Sequence, residues 1–532
     1  MNLVSISFYL FLAVFLLIYF TIPKKYQWVV SLVGSYIFYI FSNLFASVYL
    51  IVTTVSTFFV GKWIDNSNQL YANKVDSIGF NISNEEKKEL KHANKRRKTI
   101  LLASALALNF GILAFLKYFN LFSTSANYLL NVFNISGSVP VHDFLLPLGI
   151  SFYTFQSIGY IIDVFREKIK PDTNIGKYAL FVSFFPQIIQ GPIGRYDELA
   201  HQLFRINTFD YKRVKFGAQL ILWGLFKKLV IADRAAILVN SIFDSYTQHQ
   251  GLTIFVGVLL YSIQIYGDFS GGIDIARGIA QMMGITLREN FKRPFFATSI
   301  EDYWRRWHIS LSEWMRDYIF YPLALSRSFA KIGKKTRKIF GPYLGKLIPI
   351  FLAQLITFLT VGIWHGANWK FVIFGLYNGF FIIVGILLEP FLKKFFKQRK
   401  IVTNTFSWRF FNIVLTFFLV CISRYFSRAP DLYTALRMIK RTFSVFNPWV
   451  LTLESFTQFG LNERNIYLLI VAVVVLFFVD LLQENGYHLR EKIAEQNLVF
   501  RWMLYLIAIF SILIFGIYGV EYNQTDFIYR GF

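Results

Sequence analysis

The sequence predicts an all-α polytopic integral membrane protein, with roughly 11–13 transmembrane helices plus re-entrant or interfacial helices. Three observations predict it. The 532 residues are 55% hydrophobic, include 61 Phe and have a mean hydropathy of +0.46, a composition that would be hard to keep dispersed in water. Apolar runs of about 17 residues or more recur from end to end. The basic residues collect in short stretches between those runs, as expected for loops on the cytoplasmic side of a membrane.

In chain order, the first apolar run covers 3–21 and closes at Pro23-Lys24-Lys25. It lacks a basic leader and an Ala-x-Ala site, so it reads as a retained first span. Further spans are expected near 27–42, 44–61, 99–118, 143–165, 216–232, 252–270, 348–366, 369–388, 408–424, 466–482 and 500–520. Three connections set the orientation. Residues 62–98 carry nine Lys/Arg, 326–347 carry seven with no acid, and 391–401 carry five with no acid. All three are expected in the cytoplasm, with 62–98 a solvated basic loop. The basic stretch 424–441 strains this rule, because the count places it outside. The whole chain, 1–532, reads as one integral membrane domain.

The net charge of +24 does not point to nucleic acid, since its distribution is that of positive-inside loops. Membrane lipid is the expected environment, and the basic face suits anionic lipid or an acidic protein. One cysteine, Cys421, lies in an apolar run. That excludes a disulfide and a cysteine metal site. No His/Asp/Glu cluster has zinc spacing, so no metal is expected. A Gly-x4-Gly-Lys-Ser/Thr phosphate loop is absent, which argues against a nucleotide-driven pump.

The stretch 301–320 stands out. It places His308 among Trp304, Trp307, Arg305 and Arg306. As one helix it would carry Trp304, Trp307, His308, Leu311 and Met315 on a single face. The pairs Glu301–Arg305 and Asp302–Arg306 would support it. Both flanks are basic, so the segment is expected to lie in the interface or re-enter the membrane, which is tolerated where protein or water covers its backbone. Residues 174–194, punctuated by Pro186, Gly191, Pro192 and Gly194, look similar. Burial beside tryptophans favours a neutral imidazole, the form a general base needs. A second histidine, His365, follows Trp364 and precedes Gly366 and Asn368. Two ionisable groups in aromatic turns of a membrane protein are functional candidates. The remaining histidines, 92, 142, 201, 249 and 488, lie in polar connections and read as surface or structural. Asp268 and Asp274 flank a Gly-Gly pair expected to break its helix. They are expected to pair with arginines such as Arg305 or Arg306.

These pieces together resemble the membrane-bound O-acyltransferase family, in its bacterial cell-envelope branch of polysaccharide and peptidoglycan O-acetylation and teichoic-acid D-alanylation proteins. The resemblance spans about 100–390. It is carried by Leu146-Pro-Leu-Gly-Ile-Ser-Phe-Tyr-Thr-Phe-Gln156, Phe184-Phe-Pro-Gln187 with Gln190-Gly-Pro192, Asp268-Phe-Ser-Gly271, Tyr303-Trp-Arg-Arg-Trp-His-Ile-Ser-Leu-Ser312 and Gly362-Ile-Trp-His-Gly366. Departures fall at Gly272, Ile273 and Tyr425-Phe-Ser-Arg428. The resemblance implies helices around a central tunnel, in the bacterial cytoplasmic membrane, with His308 and His365 as the paired essential histidines. Trp304, Trp307 and Trp364 would shape the tunnel, supported by Asp268, Arg305 and Asn368. It implies transfer of an acyl group, acetyl in the first instance, from a cytoplasmic thioester donor. The donor would be acetyl-coenzyme A or a phosphopantetheine carrier protein, with no permanently bound cofactor. The acceptor would be an exported polysaccharide, reached directly or through an extracytoplasmic transferase. D-alanyl transfer is the alternative within the family. A polysaccharide transporter or flippase is the alternative outside it, and a scaffold for a secretion complex the weaker third.

Overall fold

A computed structural model describes residues 2–78, 83–142, 144, 146–188, 190–518 and 527. It is all-α: among the described residues the sole strand-like pairing is one antiparallel bridge, Phe291 with Trp307. Two compact units are present, Met1–Lys215 with Ile279–Leu287, and Phe216–Gly278 with Arg288–Phe532.

The first unit holds α1 (Ile6–Thr21), α2 (Gln27–Ser42), α3 (Ser47–Ile78), α4 (Asn84–Val132), α5 (Ile150–Phe165), α6 (Ile175–Ser183), α7 (Phe185–Ile188) and α8 (Tyr196–Phe204). The basic stretch 62–98 is helical in its described residues. It forms the far end of α3 and the start of α4, which opens with a capping box between Ser83 and Glu86. Lys and Glu are good helix formers, so a polar composition here extends two helices instead of looping. The described residues of 174–194 include the short, largely buried α6 and α7, interrupted at Phe184.

The chain passes through α9 (Tyr211–Leu225) into the second unit. A π-helical turn, Phe226–Ala232, joins α9 to α10 (Asp233–Asp244). Then come α11 (Leu252–Met282), α12 (Ile300–Arg306), α13 (Ile309–Met315), α14 (Tyr321–Ala324), α15 (Arg327–His365), α16 (Trp369–Gln398), α17 (Phe406–Arg428), α18 (Leu432–Ser444), α19 (Leu453–Thr457), α20 (Glu463–Glu484), α21 (Leu489–Ala494) and α22 (Leu498–Phe515). The basic stretch 326–347 is a helical hairpin. Gly341 turns it with φ 79° and ψ 174°, ahead of Pro342.

Eight of these helices (α3, α4, α11, α15, α16, α17, α20 and α22) are long and apolar enough to cross a membrane. The sequence-based count of twelve also included α1, α2 and α5, each of 16 residues, and the run 216–232, which is divided between the 15-residue α9 and the π-helical turn. At 1.5 Å per residue a helix of about 16 residues covers about 24 Å, short of a hydrocarbon core of about 30 Å.

Candidate active site

The stretch expected to be one helix from 301 to 320 is broken at its centre. α12 ends at Arg306, Trp307 is extended (φ −108°, ψ 127°), and His308 adopts the left-handed backbone (φ 49°, ψ 51°) before α13 begins. A non-glycine residue in that region costs about 1–3 kcal/mol and persists only where its surroundings over-determine it. The surroundings here are residues 290–292. The Lys292 N–H donates to Arg306 O at 2.9 Å, and the Ile309 N–H to Asn290 O at 3.1 Å. Asn290 Oδ1 accepts from the Ser310 N–H at 2.9 Å, and Asn290 Nδ2 lies 3.4 Å from His308 Nδ1.

His308 is fully buried. Its ring meets Phe269 edge to face at 4.9 Å and Trp364 at 5.5 Å. Taking imidazolium out of water is costly, so burial pushes its pKa down to about 3, and the ring is neutral at ordinary pH.

His365 is the last residue of α15. It is buried against Trp364 at 4.9 Å and Phe374 at 5.3 Å. A close helix crossing sets its position. A Cβ on Gly362 would fall 2.3 Å from Phe371 O, and one on Gly375 would fall 2.2 Å from Phe358 O. Only glycine at both places lets α15 and α16 approach this closely. Beside His365 is a cavity of about 10 Å³, bordered by Tyr261, Trp307, Phe371, Phe374 and Arg424. That is room for about one water.

Asp268 and Asp274 do not pair with Arg305 or Arg306. Asp268 accepts from Lys228 at 2.6 Å, and Lys228 also reaches Asp233 at 2.8 Å. Asp274 accepts from Lys227 at 2.6 Å. Both lysines come from the π-helical turn, which packs on α11 where Gly224 faces Gly271: a Cβ on either would fall within 3 Å of the other's carbonyl oxygen. α11 runs unbroken through Gly271 and Gly272, and Gly271 serves the close packing on Gly224. Lys227 and Asp274 border a second, charged cavity of about 120 Å³, with Arg277, Glu289, Arg293, Asp480 and Arg490 also on its wall.

The structure gathers four of the expected residues, His308, His365, Trp307 and Trp364, around one aromatic cluster. Trp304 is buried next to it and donates to Asn378 Oδ1 at 3.1 Å. Asp268 pairs with Lys228 and directly precedes Phe269, whose ring meets His308. Two residues fall outside. The Arg305 side chain is 71% exposed and pairs with Glu301, while Asn368 caps α16 by accepting from the Lys370 N–H at 3.0 Å. Arg306 bridges Asp302 and Glu484. His92, His142, His201 and His488 are exposed, and His249 bonds Ser245. No group of His, Cys, Asp and Glu suited to a metal occurs among the described residues.

Sequence reasoning missed Asn290, Phe269 and Arg424. Arg424 had a signal: it is an ionisable residue at the end of an apolar run. Asn290, in a polar turn, had none.

A profile of the membrane-bound O-acyltransferase family matches residues 164–427. The chain is 32% identical to the probable alginate O-acetylase AlgI of Pseudomonas putida, over 90% of this chain and 86% of that protein. It is 32% identical to the peptidoglycan O-acetyltransferase of Helicobacter pylori over 64% of each. It is 29% identical to the teichoic acid D-alanyltransferase of Bacillus subtilis over 55% of this chain and 71% of that one.

Proposed function

The chain belongs to the membrane-bound O-acyltransferase family, and from that premise we propose that it moves an acetyl group from a cytoplasmic thioester to a hydroxyl of an envelope polysaccharide, directly or through an extracytoplasmic transferase. The observation that carries the reading is the single aromatic cluster in which Trp364 touches both His308 and His365.

His365, beside the small cavity, is the proposed base. It takes the acceptor's hydroxyl proton as the oxygen bonds to the acyl carbon. The carbonyl electrons move onto oxygen, then return as the C–S bond breaks, and the thiolate leaves with the proton. His308 is proposed to act as a neutral hydrogen-bond donor. Asn290 Oδ1 is committed to the Ser310 N–H, so the amide presents Nδ2 to His308 Nδ1. That arrangement fits a ring carrying its proton on Nε2.

The charged cavity supports a phosphate-bearing donor, either coenzyme A or a phosphopantetheine carrier protein. Lys227, Arg277, Arg293 and Arg490 on its wall suit phosphate. Its position on α11 fits as well. Tyr261 borders the histidine cavity, while Ser270 to Arg277 border the charged one, whose wall also carries Arg293 from the basic flank of 301–320. From Tyr261 to Asp274 the helix rises about 20 Å.

Relatives that cover most of the chain are named O-acetylases, which favours acetyl over D-alanyl. Mass analysis of envelope glycans with and without the protein tests this. Loss of O-acetyl groups on deletion, and in His308→Asn and His365→Ala strains with normal protein levels, is the expected result. Unchanged acetylation overturns it, and loss of D-alanyl esters instead selects the alternative.

A further inference from the structure

Among the described residues, no carboxylate neutralises Arg424. It sits near the end of the apolar helix α17 and is 3% exposed. Two other buried cations of the second unit have carboxylates: Lys227 has Asp274, and Lys228 has Asp233 and Asp268. Among the described residues Arg424 has no carboxylate within ion-pair distance. It donates from Nη2 to the Tyr303 hydroxyl at 2.5 Å, and its guanidinium lies over the Trp307 ring at 4.6 Å. Its Nε is buried with no hydrogen-bond partner among the described residues. The residue borders the same cavity as His365.

A buried cation of this kind costs free energy that apolar packing would not. A fixed positive charge in a dry pocket is also what an anion forming there requires, since it is in place before the charge develops. Cation–π contact with Trp307 steadies the guanidinium without neutralising it, and Tyr303 fixes its orientation.

We propose that Arg424 is an anion-holding group of the active site: its guanidinium stabilises the oxyanion that forms on the acyl carbonyl while His365 holds the acceptor's proton. This rests on the acyl-transfer reading. In the addition step the acceptor oxygen bonds to the acyl carbon and the C=O electron pair moves to the oxygen that Arg424 faces. In the collapse step that pair re-forms C=O, the C–S bond breaks, and the thiolate takes the proton from His365. Charge is balanced throughout by one guanidinium and, transiently, one imidazolium.

The alternative is that Arg424 is only a clasp tying α12 to α17. Stability and activity separate the two. Full-length wild type, Arg424→Met and Arg424→Lys would be compared by thermal unfolding in detergent and by envelope-glycan acetylation at matched protein levels. The expected result is that R424M unfolds no lower than wild type while acetylation falls about 100-fold or more, with R424K between. A clasp instead predicts a lowered unfolding temperature and activity lost only in proportion to folded protein. That result, or acetylation retained in R424M, overturns the proposal. If wild type acetylates nothing, the acyl-transfer reading fails on its own, and sodium acetate titrated against sodium chloride decides the anion site. Acetate-specific stabilisation of wild type that R424M lacks sustains the site, and its absence in wild type overturns it.

Discussion

Trp364 meets the His308 ring edge to face with centroids 5.5 Å apart, and it abuts its sequence neighbour His365 at 4.9 Å. One indole therefore sets the spacing of two imidazoles that lie 57 positions apart in the chain. Trp364→Phe keeps an apolar ring but shortens this wall. Activity is expected to fall about tenfold or more, as misplacement of reacting groups by an ångström is costly, while the protein still elutes as a single folded species in detergent. Trp364→Ala leaves a cavity worth about 3–5 kcal/mol and is expected to lower the unfolding temperature sharply. Size-exclusion profiles and glycan acetylation of the two variants check both statements.

Asn290 holds the left-handed turn at His308. Asn290→Ala removes the acceptor for the Ser310 N–H and the contact to His308 Nδ1. A buried group left unsatisfied costs about 1–3 kcal/mol, so N290A should unfold earlier and lose activity. Asn290→Asp keeps the acceptor for Ser310 but offers His308 no donor. It should fold better than N290A and still acetylate poorly, because a carboxylate favours the proton on Nδ1. Parallel melting and acetylation assays read this difference.

How far the sequence went is clearest at these residues. The Trp-His pairs were legible because ionisable groups among tryptophans are rare in apolar chains. The break at Trp307–His308 was not, because Trp304, Trp307, His308, Leu311 and Met315 keep helical spacing across it. The break is made by pairing with Asn290 and Lys292, which local periodicity cannot report. The partners of Asp268 and Asp274 were misread for the same reason. Lys227 and Lys228 reach them from a π-helical turn across a glycine-lined crossing, about forty residues away in sequence. The helices in the described residues of 62–98 were hidden by polarity, although the Ser83–Glu86 capping box was there to be read.

His308 also gives the fold an acid limit. Its folded pKa, about 3, lies below the ordinary value of 6.5, so below pH about 6.5 the unfolded chain binds a proton that the folded chain refuses. The sign follows: this contribution is intact above pH about 6.5 and is lost progressively as pH falls toward about 3. Asparagine tolerates left-handed backbone and does not titrate, so His308→Asn isolates the effect. The unfolding temperature of wild type should drop more steeply than that of H308N between pH 6.5 and 4. Equal slopes would show that His308 charges as easily in the folded protein as outside it.

The buried ions behind the site should respond unequally. Lys228 lies between Asp268 and Asp233, 2.6 Å and 2.8 Å away. Lys228→Met leaves two buried carboxylates without their shared cation, a loss of about 3–5 kcal/mol. Asp268→Asn removes one carboxylate and leaves the Lys228–Asp233 pair, so it should cost much less. Thermal unfolding of the two variants orders them, and a K228M protein as stable as D268N would contradict the shared-cation arrangement.

The crossing of α15 and α16 places His365. A methyl on Gly362 would lie 2.3 Å from the backbone oxygen of Phe371, a distance no Cβ can hold, and backbone cannot rotate away as a side chain can. Gly362→Ala must therefore push α15 and α16 apart. Overpacking of this kind costs about 1–3 kcal/mol, and the displacement falls three residues before His365. Gly385, also in α16, has nothing within 4 Å of its would-be Cβ, so Gly385→Ala gains helix propensity of about 0.5–1 kcal/mol at no steric cost. G362A should lose both stability and acetylation, while G385A melts at or above wild type with full activity. Because both replace a helical glycine with alanine, the contrast isolates the crossing from the generic effect of the substitution. Equal behaviour of the two would mean that the close approach of α15 and α16 does not set the position of His365.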